Sequence, residues 1–278
     1  MNLHHDSQLF SQTLRAASQH LMINLGFVEK DYWITLLLRR LSGSKYSDEA
    51  VFKGGTSLSK GYRLIDRFSE DVDLAIVNTT HKTGNEIKTI IRHLEKEITG
   101  ELTEFQEEGI TSKGSRYRKS LFRYPSIQKN DPNNRLIVEI NSFANPIPFQ
   151  KRIIQSMLFD FLDQTNNQLF IDEHLLHPFE INILNKEQTL LEKLVSLIRF
   201  SLDRDPVPSV SSKIRHFYDL YFLAKDDDCF QCIQSETFKQ QFLALLEHDK
   251  MMFDEPTGWR NRPIAESPLI HNFDSLWS

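Results

Sequence analysis

Asp71 and Asp73 lie one residue apart in Asp71-Val72-Asp73-Leu74-Ala75-Ile76, where acids and aliphatics alternate. Side chains alternate across a β-strand, so Val72, Leu74 and Ile76 share one face and both carboxylates share the other, about 7 Å apart. Oxygen ligands at that separation suit a divalent cation. Upstream, Val51 and Phe52 end a short apolar run, and Gly54, Gly55, Thr56 and Ser57 follow. Two glycines let the backbone turn sharply and approach a ligand closely. Thr56 or Ser57 then reads as a helix start, because a hydroxyl can cap free N–H groups. A glycine turn feeding a helix N-terminus suits an anion, since amides and helix dipole both face it. Together the pieces predict a phosphate cradle facing a metal pair. Lys53 and Lys60 flank the turn and join Gly54, Gly55, Thr56 and Ser57 as candidate nucleotide ligands.

A third acid lies further along. Residues 135–143 read as a strand with Leu136, Val138 and Ile140 on one face and Glu139 opposite, beside Arg135 and Asn141. The Gly-Gly-x-Ser turn, then thirteen residues, then Asp-x-Asp resembles the nucleotidyltransferase superfamily signature. More narrowly, Phe52 to Tyr62 and Arg67 to Leu74 resemble the AbiEii/AbiGii abortive-infection toxin family. Glu29-Lys30-Asp31-Tyr32 is similar to the helix that this family places before the glycine turn. By position alone, Glu29 and Lys30 are first-turn helix charges. Lys193, and the stretch from Arg215 to Tyr221 with Asp219, resemble the family's later motifs. Taken alone, Lys193 reads as a solvated helix lysine and Arg215 with Asp219 as a surface pair.

The resemblance implies that Asp71, Asp73 and Glu139 hold Mg²⁺ or Mn²⁺, with Glu139 also the base. It implies Lys193 as an NTP-phosphate ligand and Asp219 as the residue orienting Lys193 or Arg215. The family often has a lysine two residues before the third acid. That position is Ile137 here, and Arg135 is the nearest substitute. The implied reaction moves a nucleoside monophosphate from an NTP to an acceptor hydroxyl, with tRNA an acceptor the resemblance admits. It also implies a toxin with a cognate antitoxin protein. Two readings of other classes stay open. A metal-dependent phosphodiesterase or nuclease would use the same acids with water as nucleophile. A non-catalytic interaction protein would keep only the fold.

The net charge of −5 gives no global attraction to nucleic acid, so such binding needs a local patch. Residues 113–135 supply one: Lys113, Arg116, Arg118, Lys119, Arg123, Lys129 and Arg135 stand against Asp131, with Tyr117, Phe122 and Tyr124 interleaved. The stretch reads equally as an RNA-backbone track or as a charged sheet edge. The N-terminus lacks a basic, apolar leader and no apolar run is long enough to span a membrane, which predicts a cytosolic chain. Cys229 and Cys232 are the only cysteines. With no second ligand pair for zinc, they read as structural thiols.

Hydrophobic periodicity predicts helices over 6–25, ended by Gly26, and over 27–41, 84–99, 151–163, 211–224 and 237–247. The helix over 211–224 is expected to bury Ile214, Phe217, Tyr218, Tyr221 and Phe222. A strand is expected at 179–183, then a capping box over Asn185 to Gln188 opening a helix with Lys193 on its flank. Residues 205–210 read as a rigid loop and 251–268 as irregular. An aromatic ending, 269–277, should pack onto the helical part. The expected fold is α+β. A nucleotidyltransferase-type mixed sheet with flanking helices would occupy 1–150, and a mainly helical domain, 151–278, would close the nucleotide cleft.

Overall fold

The computed structural model describes residues 1–67, 71–128 and 134–276. Phe68, Ser69 and Glu70 of the signature stretch, Lys129 and Asp131 of the basic stretch, and Trp277 lie outside the described residues. The chain divides into two compact units, 1–184 and 185–278.

The first unit runs α1 (Ser7–Leu21), α2 (Leu25–Ser42), β1 (Ala50–Lys53), α3 (Gly54–Lys60), β2 (Asp71–Ile76), α4 (Gly84–Thr99), β3 (Thr103–Phe105), β4 (Ser112–Lys113), β5 (Tyr117–Arg123), β6 (Arg135–Asn141), β7 (Phe149–Ile154), α5 (Met157–Gln164), α6 (Gln168–Glu173) and β8 (Phe179–Leu184). The strands form one sheet in the order β3-β5-β6-β2-β1-β8-β7, with β4 also on β5. β2 pairs with β6, and β1 with β8, in parallel; the other pairs are antiparallel. The fold is therefore α+β, with the mixed sheet that the sequence predicts.

Strand alternation decides which face is covered. Phe52, Val72, Leu74, Val138 and Ile140 are fully buried in one core with Leu37 of α2 and the α4 stripe Ile87, Ile91, Leu94 and Ile98. Each fully buried side chain of this kind contributes roughly 1.5–3 kcal/mol. The acids are thereby left on the opposite face. α4 keeps its predicted bounds because Thr83 and Glu86 form a reciprocal capping box and Gly100 follows its last residue.

Three expectations change in this unit. Gly26 does not end a helix. Met22 adopts a left-handed conformation (φ 55°) after α1, and Asn24 caps α2 through the Gly26 amide at 2.9 Å. Residues 149–154 are a strand rather than part of a helix over 151–163: β7 pairs from Phe149–Leu184 to Ile154–Phe179, and Ser156 caps the shorter α5. The sheet thus continues beyond residue 150. β5 is no edge strand either, because β3 and β4 pair on one side of it and β6 on the other.

The second unit contains α7 (Lys186–Ser201), α8 (Pro206–Ser211), α9 (Ile214–Leu223), α10 (Asp227–Gln234), α11 (Phe238–Met252) and α12 (Pro268–His271). Val195, Ile198, Leu202, Leu246 and Trp259 form its core. Asn185 occupies the N-cap of α7, but its side chain makes no cap hydrogen bond, so the expected capping box is absent. Residues 206–211 are helical, with Pro206 at the first position, where its missing N–H costs nothing. α9 presents the face opposite to the one expected: Asp219 and Leu223 are buried, while Ile214, Tyr218 and Tyr221 are exposed. Cys229 and Cys232 are free thiols on α10, and burial pushes both thiols up, away from reactive thiolate. Among the described residues no helix is long and apolar enough to cross a membrane.

Candidate active site

Sheet register assembles the centre. Lys53 on β1 lies opposite Asp73 on β2, Asp73 opposite Glu139 on β6, and Glu139 opposite Lys119 on β5. Partners in register share a face, and neighbouring strands lie about 4.8 Å apart. One row across four strands therefore reads Lys53, Asp73, Glu139, Lys119. Asp71 lies two residues from Asp73 on the same face, opposite Ile137, where the resembling family often carries lysine. Arg135, the nearest substitute for that lysine, donates to Glu107 at 2.9 Å.

The row is electrostatically tense. Burial pushes the Asp73 carboxyl well above the usual aspartate range, and the charges of Glu139 and Asp71 push it further. Lys53 and Lys119 pull the other way, and Lys119 Nζ stands 3.4 Å from Glu139 Oε2. Adjacent acids that resist ionising together gain most from a bound cation. Asp71, Asp73 and Glu139 are oxygen donors of the type a hard divalent ion takes. Among the described residues no group of three His, Cys, Asp or Glu side chains is placed to hold a metal ion.

The glycine turn abuts this row. Gly54 has φ +77°, and a Cβ there would collide with Asp73 Oδ2 and stand 3.1 Å from its Cγ. Glycine is required on both counts, by the left-handed backbone and by the carboxylate beside it. α3 begins at Gly54, not at Thr56 or Ser57, and neither hydroxyl caps it. Thr56 Oγ1 instead donates to the Asp71 carbonyl at 2.6 Å, tying α3 to β2, and Ser57 Oγ donates to the Gly54 carbonyl at 2.8 Å. The first amides of a helix have no intrahelical partner, and those that open α3 lie in this turn.

At its other end α3 is anchored by α2. Lys60 pairs with Asp31 and donates to the Gln155 carbonyl at 3.2 Å, while Asp31 also accepts from the Met157 amide at 2.7 Å. The structure thus places the Lys60 ammonium in a buried pair that fixes α3 between α2 and α5. Glu29 is fully buried and accepts from the Ile127 amide at 2.7 Å and Ser126 Oγ at 2.9 Å. The first-turn reading of Glu29 and Lys30 as solvated charges therefore gives way: Glu29, Lys30, Asp31 and Tyr32 are all buried. Charge spacing held no sign of this burial; only the family motif singled the group out.

Lys193, Asp219 and Arg215 belong to the second unit. Lys193 Nζ and Asp219 Oδ2 are 2.7 Å apart, and both side chains are buried, whereas Arg215 is exposed. The basic stretch is largely matched by acids. Arg118 pairs with Glu95, Lys113 stands 2.7 Å from Glu104, and Arg123 lies over the Phe105 ring at 4.7 Å. Arg116 is exposed.

A mixed sheet carrying a glycine turn, paired acids on one strand and a third acid on its parallel neighbour is the architecture of a nucleotidyltransferase. Comparison of families is more specific. The family model described as "Nucleotidyl transferase AbiEii toxin, Type IV TA system" matches residues 36–273, and the chain belongs to that family. It is a nucleotidyltransferase toxin of the toxin–antitoxin kind. Among solved structures it is similar to MenT4, nucleotidyltransferase toxin Rv2826c from Mycobacterium tuberculosis H37Rv, at 14% identity over 95% of this chain and 98% of that one, with a TM-score of 0.48. No curated protein matches the sequence.

Proposed function

We propose that the protein transfers a nucleoside monophosphate from an NTP to an acceptor hydroxyl, in RNA of tRNA size, with Mg²⁺ or Mn²⁺ held by Asp71, Asp73 and Glu139. When bound, that ion supplies Lewis-acid activation of the phosphoryl group. The acceptor oxygen bonds to the α-phosphorus, the bond to the α,β-bridging oxygen breaks, and pyrophosphate leaves. Glu139 takes the proton of the attacking hydroxyl. The amides of Gly54, Gly55, Thr56 and Ser57 hold the β- and γ-phosphates, and Lys53 adds positive charge at the same end of the row. Lys193, oriented by Asp219, balances the charge of the leaving pyrophosphate, as the family resemblance implies. A cognate antitoxin restrains the activity.

The observation that carries this function is the row Lys53, Asp73, Glu139, Lys119 with Gly54 packed on Asp73. A nuclease would use the acids but has no task for the glycine turn. The test compares NTP labelled in the α-phosphate with NTP labelled in the γ-phosphate. Nucleotidyl transfer puts only α-label on the acceptor and γ-label in pyrophosphate; γ-label on the acceptor, or acceptor cleavage without NTP, contradicts it.

A further inference from the structure

By sequence, Lys119 belongs with Arg116, Arg118 and Arg123 in a basic stretch. The sheet divides that group. Alternation along β5 puts Tyr117, Lys119 and Leu121 on the face that bears the acids, and Arg118 on the other, where it pairs with Glu95 of α4. Leu121 is fully buried to one side of Lys119, and to the other the Tyr117 ring stands 5.9 Å from that of Phe143.

Lys119 Nζ lies 3.4 Å from Glu139 Oε2. Among the described residues neither side chain has another ion pair. On the opposite side Glu139 is in register with Asp73, and the two like charges repel. Repulsion from one neighbouring strand and attraction from the other leave the Glu139 carboxylate one preferred place in the row. Lys119 is badly placed for the phosphates that Lys53 serves. Three steps between strands separate β5 from β1, about 14 Å.

Building on nucleotidyl transfer with Glu139 as the base, we propose that Lys119 is a positioning residue: it fixes the Glu139 carboxylate where the attacking hydroxyl of the acceptor gives up its proton. Reacting groups must meet within about 3–3.5 Å, and a displacement of about 1 Å can cost on the order of 100-fold in rate. The pair itself adds little to stability, because its side chains are 30% and 28% exposed. Rate and stability therefore part company at this residue.

The test uses Lys119→Met, Lys119→Arg, Glu139→Gln and the double variant Lys119→Met/Glu139→Gln, each in the full chain. Rates are measured over a range of NTP concentrations at saturating RNA. Lys119→Met is expected to lower kcat roughly tenfold to 100-fold with KM for the NTP unchanged, and Lys119→Arg to recover most of that loss. In the Glu139→Gln background the same change should cost less than about twofold, because no carboxylate is left to place. Melting temperatures should stay within about 4 °C of wild type. A raised KM at wild-type kcat, an undiminished loss in the Glu139→Gln background, or a loss that Lys119→Arg does not repair overturns the proposal. NMR of isotope-labelled lysine reads the pair without turnover. The Lys119 side-chain signal, assigned by its disappearance in Lys119→Arg, should shift in Glu139→Gln, and a signal that stays in place overturns the pair. A wild type that transfers no nucleotide contradicts the reaction, and the lysine signal then decides separately whether Lys119 holds Glu139.

Discussion

Gly54→Ala should separate geometry from composition at the centre. The substitution adds one methyl group at φ +77°, where an L side chain costs roughly 1–2 kcal/mol. The methyl group also meets the Asp73 carboxylate, whose Cγ would stand 3.1 Å away. Either α3 or Asp73 must shift. For a chain of this size the backbone cost alone lowers Tm by about 2–8 °C. A displacement of about 1 Å in a group that positions reactants costs on the order of 100-fold in rate. Rate should therefore fall far more than stability does. Gly84→Ala is the control: φ is not positive there, and nothing lies within 4 Å of the added Cβ. Initial rates of nucleotide transfer and thermal melts of both variants are the assay. Gly54→Ala protein that transfers and melts like wild type would refute the close approach of turn and carboxylate.

Asp73 predicts a pH signature. Its folded carboxyl holds the proton more tightly than the unfolded one, so its contribution to stability is full below the ordinary aspartate range, about pH 4, and is lost as pH rises through the raised folded value. Metal-free Asp73→Asn should then melt above metal-free wild type at pH 8, with the gap closing toward pH 4; a gap that does not close with acid contradicts the shift. Asp219→Ala strands Lys193 and should cost about 3–5 kcal/mol, whereas Lys193→Met with Asp219→Leu should cost less, both read from urea midpoints. Lys60→Met strands the buried Asp31 carboxylate and should cost about 3–5 kcal/mol by the same measurement. A loss under 1 kcal/mol would mean that α3 is held otherwise.

Where burial follows periodicity, the sequence is a good guide. β2 and β6 alternate cleanly, so the side bearing Asp71, Asp73 and Glu139 is readable before the strands are paired. Their adjacency is not, because parallel pairing of β2 with β6 is a non-local fact. α4 is readable because its stripe, its capping residues and Gly100 agree. Residues 149–164 mislead because a short strand and a short helix, each too brief to show a period, merge into one amphipathic run. α9 misleads more sharply. Its aromatics look like core, yet the buried position is Asp219, and an ion pair with Lys193 leaves no trace in hydrophobic spacing. Asp31 and Lys60 were hidden for the same reason, being charged residues buried together and 29 positions apart.

The central claim is nucleotidyl transfer from the acidic row of β2 and β6. The most direct measurement incubates purified protein with Mg²⁺, total RNA and each NTP labelled in the α-phosphate, beside an Asp71→Ala/Asp73→Ala control. The mechanism predicts label on RNA of tRNA size with at least one NTP and none in the control. Label on RNA that persists in the control, or RNA shortening without label, would contradict it.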